Sequence, residues 1–263
     1  MRKYKKSETR LISVIVLLAV IMPLIFCNPI SVCAETTDVV KEGIHYKINE
    51  NGGYYEVVGY DETKDIVDVV IPPTIKNRKV KAVSDNAFAK CTSLKSVTLP
   101  KGLYSIGARA FYSCTSLESI SIPSSVNFIG ASAFFNCGAL VNIVLPSSLT
   151  KVSDRTFYRC YSMKSVTIPN NCTSIGDSAF SECTSLSRVK FDNNSKLSEI
   201  SRLAFSGCCV LTAINVPASV EIIDDYAFDS CEKLTTVVLR EGLKRIGIFA
   251  FANCDLKMIE IPQ

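Results

Sequence analysis

The sequence predicts an α/β repeat solenoid: about eight right-handed coils of 23 residues, a parallel sheet along one face and an N-terminal β-hairpin cap. Three observations carry this expectation. An Ala-Phe pair recurs with a cysteine three residues after its aromatic, a short alternating apolar run closed by proline follows, and the spacing between copies is almost constant.

The aromatic of each pair falls at Phe88, Phe111, Phe134, Phe157, Phe180, Phe205, Phe228 and Phe251, 23 residues apart except for 25 between Phe180 and Phe205. Only Thr156, before Phe157, replaces the alanine. Cysteine follows at Cys91, Cys114, Cys137, Cys160, Cys183, Cys208, Cys231 and Cys254. Next come Leu94, Val97, Leu99 and Pro100 in one copy and Leu117, Ile120, Ile122 and Pro123 in another. Such alternation reads as a half-buried strand, ended by a residue that cannot continue a ladder. Val126 and Ile129 then lead through Gly130 to the next Ala-Phe segment, whose composition suits one helical turn or short helix. No single unit can bury its apolar row, so neighbours must stack and join the rows into one core.

The string A-F-x-x-C-x-x-L-x-x-[VI]-x-[IL]-P-x-x-[VL]-x-x-I-G resembles the BspA-like, treponemal-type group of bacterial leucine-rich repeats over roughly residues 69–263. The resemblance implies a secreted or surface-displayed interaction protein, often an adhesin. Departures are local. Phe191-Asp192-Asn193-Asn194-Ser195 adds two residues and predicts a small surface bulge, Arg240 stands in place of a proline, and Cys254-Asp255-Leu256 is one residue short.

The chain divides into a signal peptide over 1–34, a linker and N-terminal β cap over 35–82, and the leucine-rich-repeat solenoid over 83–263. Arg2, Lys3, Lys5, Lys6 and Arg10 precede an apolar run from Leu11 to Phe26, and Val32-Cys33-Ala34 offers small residues for cleavage after Ala34. Lipidation at Cys27 is the competing reading, disfavoured by bulky Phe26 beside it. The apolar run is short for a membrane span, so none is expected in the mature chain. HYKINENGGYYEVVGY (45–60) places two alternating runs around Asn51-Gly52-Gly53, a hairpin signal, and a hairpin there would shield the open apolar end of the first coil. Val69-Val70-Ile71-Pro72 reads as a degenerate strand, followed by a basic insert, Lys76-Asn77-Arg78-Lys79. At the other end, Ile261-Pro262-Gln263 follows a strand with no cap in view, so the terminal coil either tolerates exposure, meets a partner or belongs to a truncated relative of a longer protein, the last being the favoured expectation.

Of 29 Lys and Arg and 25 Asp and Glu, residues 1–34 hold five and one, leaving 24 of each. A chain so balanced lacks the broad basic surface that a phosphate backbone requires, so nucleic acid is not an expected partner.

Eight regularly spaced cysteines in an exported chain would ordinarily suggest disulfides. Equivalent residues of stacked coils, however, lie about 4.8 Å apart with parallel side chains, whereas a disulfide needs Cβ atoms about 3.8 Å apart and turned toward each other. Reduced, buried thiols that pack as small hydrophobes and donate weak hydrogen bonds to turn carbonyls are therefore expected. Cys172 falls on a core position, whereas Cys209 falls on a position held elsewhere by Thr92 and Thr115 and is expected as an unused surface thiol, with a reactive role as the alternative. No C-x-x-C pair occurs and His45 is the one histidine, so no metal and no cofactor is expected.

Catalysis finds no footing. His45 has no nucleophile arrangement near it, Asp224-Asp225 reads as solvated charge on a turn, and no phosphate-cradling glycine loop is present. Asn171-Cys172-Thr173 and Asn193-Asn194-Ser195 match a glycosylation triplet that arises readily by chance. The working surface expected instead is the exposed strand face: Lys95, Thr98, Glu118, Ser121, Asn142, Lys164, Thr167, Arg188, Lys190, Asn215 and Thr236. This predicts a non-enzymatic module that recognises an extracellular protein or glycan, with secretion or cell-surface display. An architectural segment of a larger surface protein and a secreted hydrolase are the alternatives. Arg188 apart, the face lacks the Trp, Tyr and Arg anchors of tight interfaces, so modest affinity spread over several coils is expected.

Overall fold

A computed structural model describes residues 38–260, which form one compact unit. The expected signal peptide, its cleavage after Ala34, Cys27 and the final Ile261-Pro262-Gln263 lie outside the described residues.

The apolar runs form a long parallel ladder. It passes from Asp68–Val70 to Ser96–Thr98, Ser119–Ser121, a single bridging residue Asn142, Ser165–Ile168 and Arg188–Phe191. After a break it resumes as Ala213–Asn215, Thr236–Val238 and Met258–Glu260. The molecule is a β-solenoid of about nine turns rather than eight. The additional turn is the one carrying Asp68–Val70, which pairs in register with Ser96–Thr98 although it lacks the Ala-Phe-Cys signature. The break follows from the 25-residue copy, whose two additional residues displace the chain after Phe191.

A second parallel ladder runs beside the first, where one sheet was expected. Its rungs are two residues each, among them Ser105–Ile106, Phe128–Ile129, Ser174–Ile175 and Glu199–Ile200. In each rung the second residue, Ile106, Ile129, Ile175 or Ile200, is fully buried. Sequence periodicity misses strands this short because one buried isoleucine establishes no alternation.

The third side corrects the expected helical turn: among the described residues there is no helix. Its backbone hydrogen bonds explain why. Arg109, Phe111 and Ser113 direct their amides to the carbonyls of Ala131, Ala133 and Phe135 on the next coil, at 3.0, 2.8 and 2.7 Å. The intervening Ala110, Tyr112 and Cys114 close turns onto carbonyls three residues back. Sending alternate amides across coils requires left-handed backbone on either side of the phenylalanine, at Arg109 and Ser113 (φ 55° each), and the pattern recurs at Ser132 and Asn136 and again at Arg155 and Arg159. A left-handed residue costs roughly 1–2 kcal/mol against the helical alternative. Three inter-coil hydrogen bonds per turn offset that cost, because an unpaired buried amide would be dearer still.

The core is a column of phenylalanine rings. Phe88, Phe111, Phe134, Phe157, Phe180, Phe205, Phe228 and Phe251 stack with centroids 5.2–5.5 Å apart and planes within 13°. At the N-terminal end Asp38–Lys41 pairs antiparallel with Ile44–Ile48, which pairs with Tyr55–Tyr60. That last strand joins the second ladder through Arg78–Val83, and its Tyr60 ring lies 6.1 Å from Phe88, continuing the column.

Candidate binding surface

The long ladder fixes the eleven candidate residues in three parallel rows. Lys95, Glu118 and Lys164 precede the strands, and their coils are tied there by main-chain bonds such as Glu118 to Lys95 at 3.0 Å. Asn142 and Arg188 share the next row, with Ser165 between them, and Thr236 occupies the same strand position beyond the break. Thr98 and Ser121 pair in the third row, as do Thr167 and Lys190, and Asn215 occupies it beyond the break. All are exposed except half-buried Thr236. Their alternating partners Val97, Ile120, Ile143, Val166 and Val189 are buried, so packing beneath holds the face rigid. Val144 is exposed among these polar groups.

The break in the ladder divides this face. Phe191, Asp192, Asn194 and Ser195 line one side of a cleft of about 350 Å³, and Asn215 and Arg240 line the other. Arg240 donates from its guanidinium to the Asn215 side-chain oxygen at 3.4 Å. Sequence reasoning found the bulge and the missing proline separately but not the cleft that they form together, because the two positions lie two coils apart.

The thiols occupy a structural position. Cys114, Cys137, Cys160, Cys183, Cys208, Cys231 and Cys254 each donate to the carbonyl of the phenylalanine one coil earlier, at 3.1–3.3 Å. All ten cysteines of the described residues are free, and Cys172 is buried while Cys209 is half-buried. Burial pushes the Cys137 and Cys183 thiols up to about 12 and Cys160 well above its ordinary value. Protonated, enclosed thiols are neither nucleophiles nor metal ligands at neutral pH.

Asp224 and Asp225 both face the Arg245 guanidinium, at 2.8 and 3.3 Å, and Asp225 also accepts the Ile248 amide at 2.8 Å. Their charges tie adjacent coils together. His45 sits in the hairpin, paired with Val40 and Gly59. No group of three His, Cys, Asp or Glu that could hold a metal occurs among the described residues, and no helix there is long and apolar enough to cross a membrane.

A rigid coil stack with a continuous apolar core that presents polar rows to solvent defines a repeat scaffold. The chain belongs to the BspA-type leucine-rich repeat family, whose repeat-region model matches residues 62–162 and 150–263. It is similar to a leucine-rich repeat protein from Bacteroides ovatus, at 33% identity and a TM-score of 0.76 over 85% of this chain, and spans 59% of that protein's length. A Treponema pallidum leucine-rich repeat protein aligns at 26% identity and a TM-score of 0.63, covering 83% of this chain and 89% of its own. A leucine-rich cell surface protein from Faecalibacterium prausnitzii aligns at 26% identity and a TM-score of 0.60, covering 85% and 76%. No curated protein matches the chain.

Proposed function

We propose that this protein is an exported, non-catalytic recognition module that binds an extracellular protein or glycan along the long ladder, with adhesion as its biological use. The observation that carries this reading is the three-row array of exposed polar side chains on a sheet whose other side is fully packed. A surface already ordered before binding incurs little entropic cost on association. Family membership and the likeness to a cell surface protein of Faecalibacterium prausnitzii support an extracellular setting. The reading includes export through residues 1–34 with cleavage after Ala34, a cap within 35–82 and a solenoid that takes in the turn carrying Asp68–Val70 ahead of residues 83–263.

Binding of the purified protein to immobilised extracellular-matrix proteins and cell-surface glycans tests it, beside an Arg188→Glu/Lys190→Glu variant. Saturable binding that the variant loses supports the reading. Equal binding by the folded variant removes the long ladder from it, and no binding to any surface favours an architectural role.

A further inference from the structure

The basic insert of the sequence is part of a second surface, on the opposite ladder. Thr74–Ile75 folds back on Arg78–Val83 through Lys76 and Asn77, both with left-handed backbone (φ 44° and 63°), so a two-residue hairpin juts from the corner where one ladder turns into the other. Lys76, Arg78, Lys79 and Lys81 are all exposed on it, and Lys101 occupies the matching corner of the next coil. Residues 74–104 contain seven Lys and Arg and a single acid, Asp85, within a chain whose charges balance beyond residue 34. None of these five cations makes an ion pair among the described residues. The corners that follow hold Ser124, Ser147 and Asn170 rather than carboxylates. Glu56, the acid of the neighbouring strand, is engaged by the Ser84 hydroxyl at 2.9 Å.

Aromatic rings interleave with this charge. The Lys81 ammonium sits 5.9 Å from the centre of the Tyr54 ring on one side, and on the other the Tyr104 amide bonds to the Lys81 carbonyl at 2.7 Å. Tyr104 is 57% exposed, and Phe128 on the following rung is 53% exposed. Lys79 and Lys81, two residues apart on one strand, place their stems about 7 Å apart. The surface thus offers two cations two residues apart on one strand, with a flat ring on either side of Lys81 and Arg78 beside them donating to the Gly52 carbonyl, bordered by neutral Asn77, Ser105 and Asn127.

We propose that this basic and aromatic ridge binds a sulfated polysaccharide, its sulfates held by Lys79, Lys81 and the flanking cations and a sugar ring lying on Tyr104. The two features demand two properties of one ligand: repeated fixed negative charge and a flat, weakly polar face. The assignment is independent of the reading given to the long ladder, because the residues concerned lie on the other sheet.

Titration of the purified protein with a heparin-derived octasaccharide and with its desulfated form, at several salt concentrations, tests it. Saturable binding of the sulfated form alone is expected. Lys79→Ser/Lys81→Ser should weaken it about tenfold or more and lower the slope of log affinity against log salt by about 2. Tyr104→Ala should weaken it a few-fold with the slope unchanged, and Arg188→Glu/Lys190→Glu should bind like the parent. The proposal is overturned by equal binding of the desulfated sugar, by full affinity in the double serine variant, or by tighter binding to a single-stranded oligonucleotide or to phosphatidylserine vesicles. Loss in Arg188→Glu/Lys190→Glu alone would move the sulfated ligand to the long ladder and overturn only this assignment.

Discussion

The thiol of Cys137 donates to the main-chain carbonyl of Phe111, one coil earlier, at 3.1 Å. The same carbonyl accepts the amide of Cys114 from its own coil at 3.2 Å, so one oxygen serves both the turn and the stack. The cysteine is thus a small apolar residue that also joins coils, a combination neither alanine nor valine reproduces. Cys137→Ala should cost about 1–2 kcal/mol through the lost sulfur contacts and the weak hydrogen bond. Cys137→Val, which keeps most of the volume, should cost less. Urea denaturation followed by circular dichroism gives both values, and equal stability of all three proteins would show that the thiol is a bystander.

Burial also gives the ladder a pH dependence. The Cys137 and Cys183 thiols have values of about 12 in the folded chain against an ordinary 9.0. Below pH 9 both folded and unfolded chains carry these protons, so the thiols leave stability unchanged. Between pH 9 and 12 the unfolded chain releases protons that the folded chain retains, and stability falls by about 1.4 kcal/mol per pH unit for each such thiol. Melting temperatures should therefore be level from pH 6 to 8 and drop steeply above 9. Iodoacetamide at pH 8 should modify half-buried Cys209 and Cys254 while sparing Cys137, Cys160 and Cys183 until urea is added. Rapid alkylation of Cys160 in the native protein would contradict this burial.

The repeat was legible because every copy repeats both ends of the same interaction: Phe111 and Cys114 announce a contact that Phe134 and Cys137 make again. The third side was misread for an equally physical reason. Ala, Phe and Tyr are compatible with a helical turn, and only the neighbouring coil, by competing for the amides of Arg109 and Ser113, decides otherwise. Non-glycine residues in left-handed backbone leave no signature when the position is filled by Arg, Ser, Asn or Leu in different copies. Exposure of the candidate face followed from simple alternation, whereas the Tyr54, Lys81 and Tyr104 cluster required knowing which strands are neighbours.

The phenylalanine column should be most sensitive in its middle. Phe111 is completely buried between Phe88 and Phe134, with centroids 5.3 Å away on both sides. Phe111→Ala should cost about 3–5 kcal/mol, because the rigid coils above and below cannot collapse into the space. Phe251 stacks on Phe228 and is only half-buried, so Phe251→Ala should cost clearly less. Thermal unfolding of the two variants gives the ranking, and equal losses would argue against a column supported from both sides.

Gly107, Gly130, Gly176 and Gly247 lie close against the preceding coil, at a position that other coils fill with Ser84, Ser153, Ser201 and Asp224. A Cβ built on Gly130 would stand 2.4 Å from the backbone nitrogen of Ala108, and one on Gly107 would stand 2.5 Å from that of Asp85. Backbone cannot rotate aside as a side chain can, so Gly130→Ala should shift the local stacking and strain the bond from the Gly130 amide to Ile106, 2.9 Å long, although Ser201 and Asp224 keep the equivalent bond at 3.0 and 2.9 Å with a Cβ in place. A loss of about 1–3 kcal/mol is expected, in the range of an overpacked core. Gly102 provides the comparison, since a Cβ there meets nothing within 4 Å and its backbone is not left-handed. Gly102→Ala should be neutral or stabilise by about 0.4–1 kcal/mol by restricting the unfolded chain. Chemical denaturation of the pair decides the matter: if Gly130→Ala is as stable as Gly102→Ala, the coils have slack between them and close backbone approach is not what holds glycine at that position.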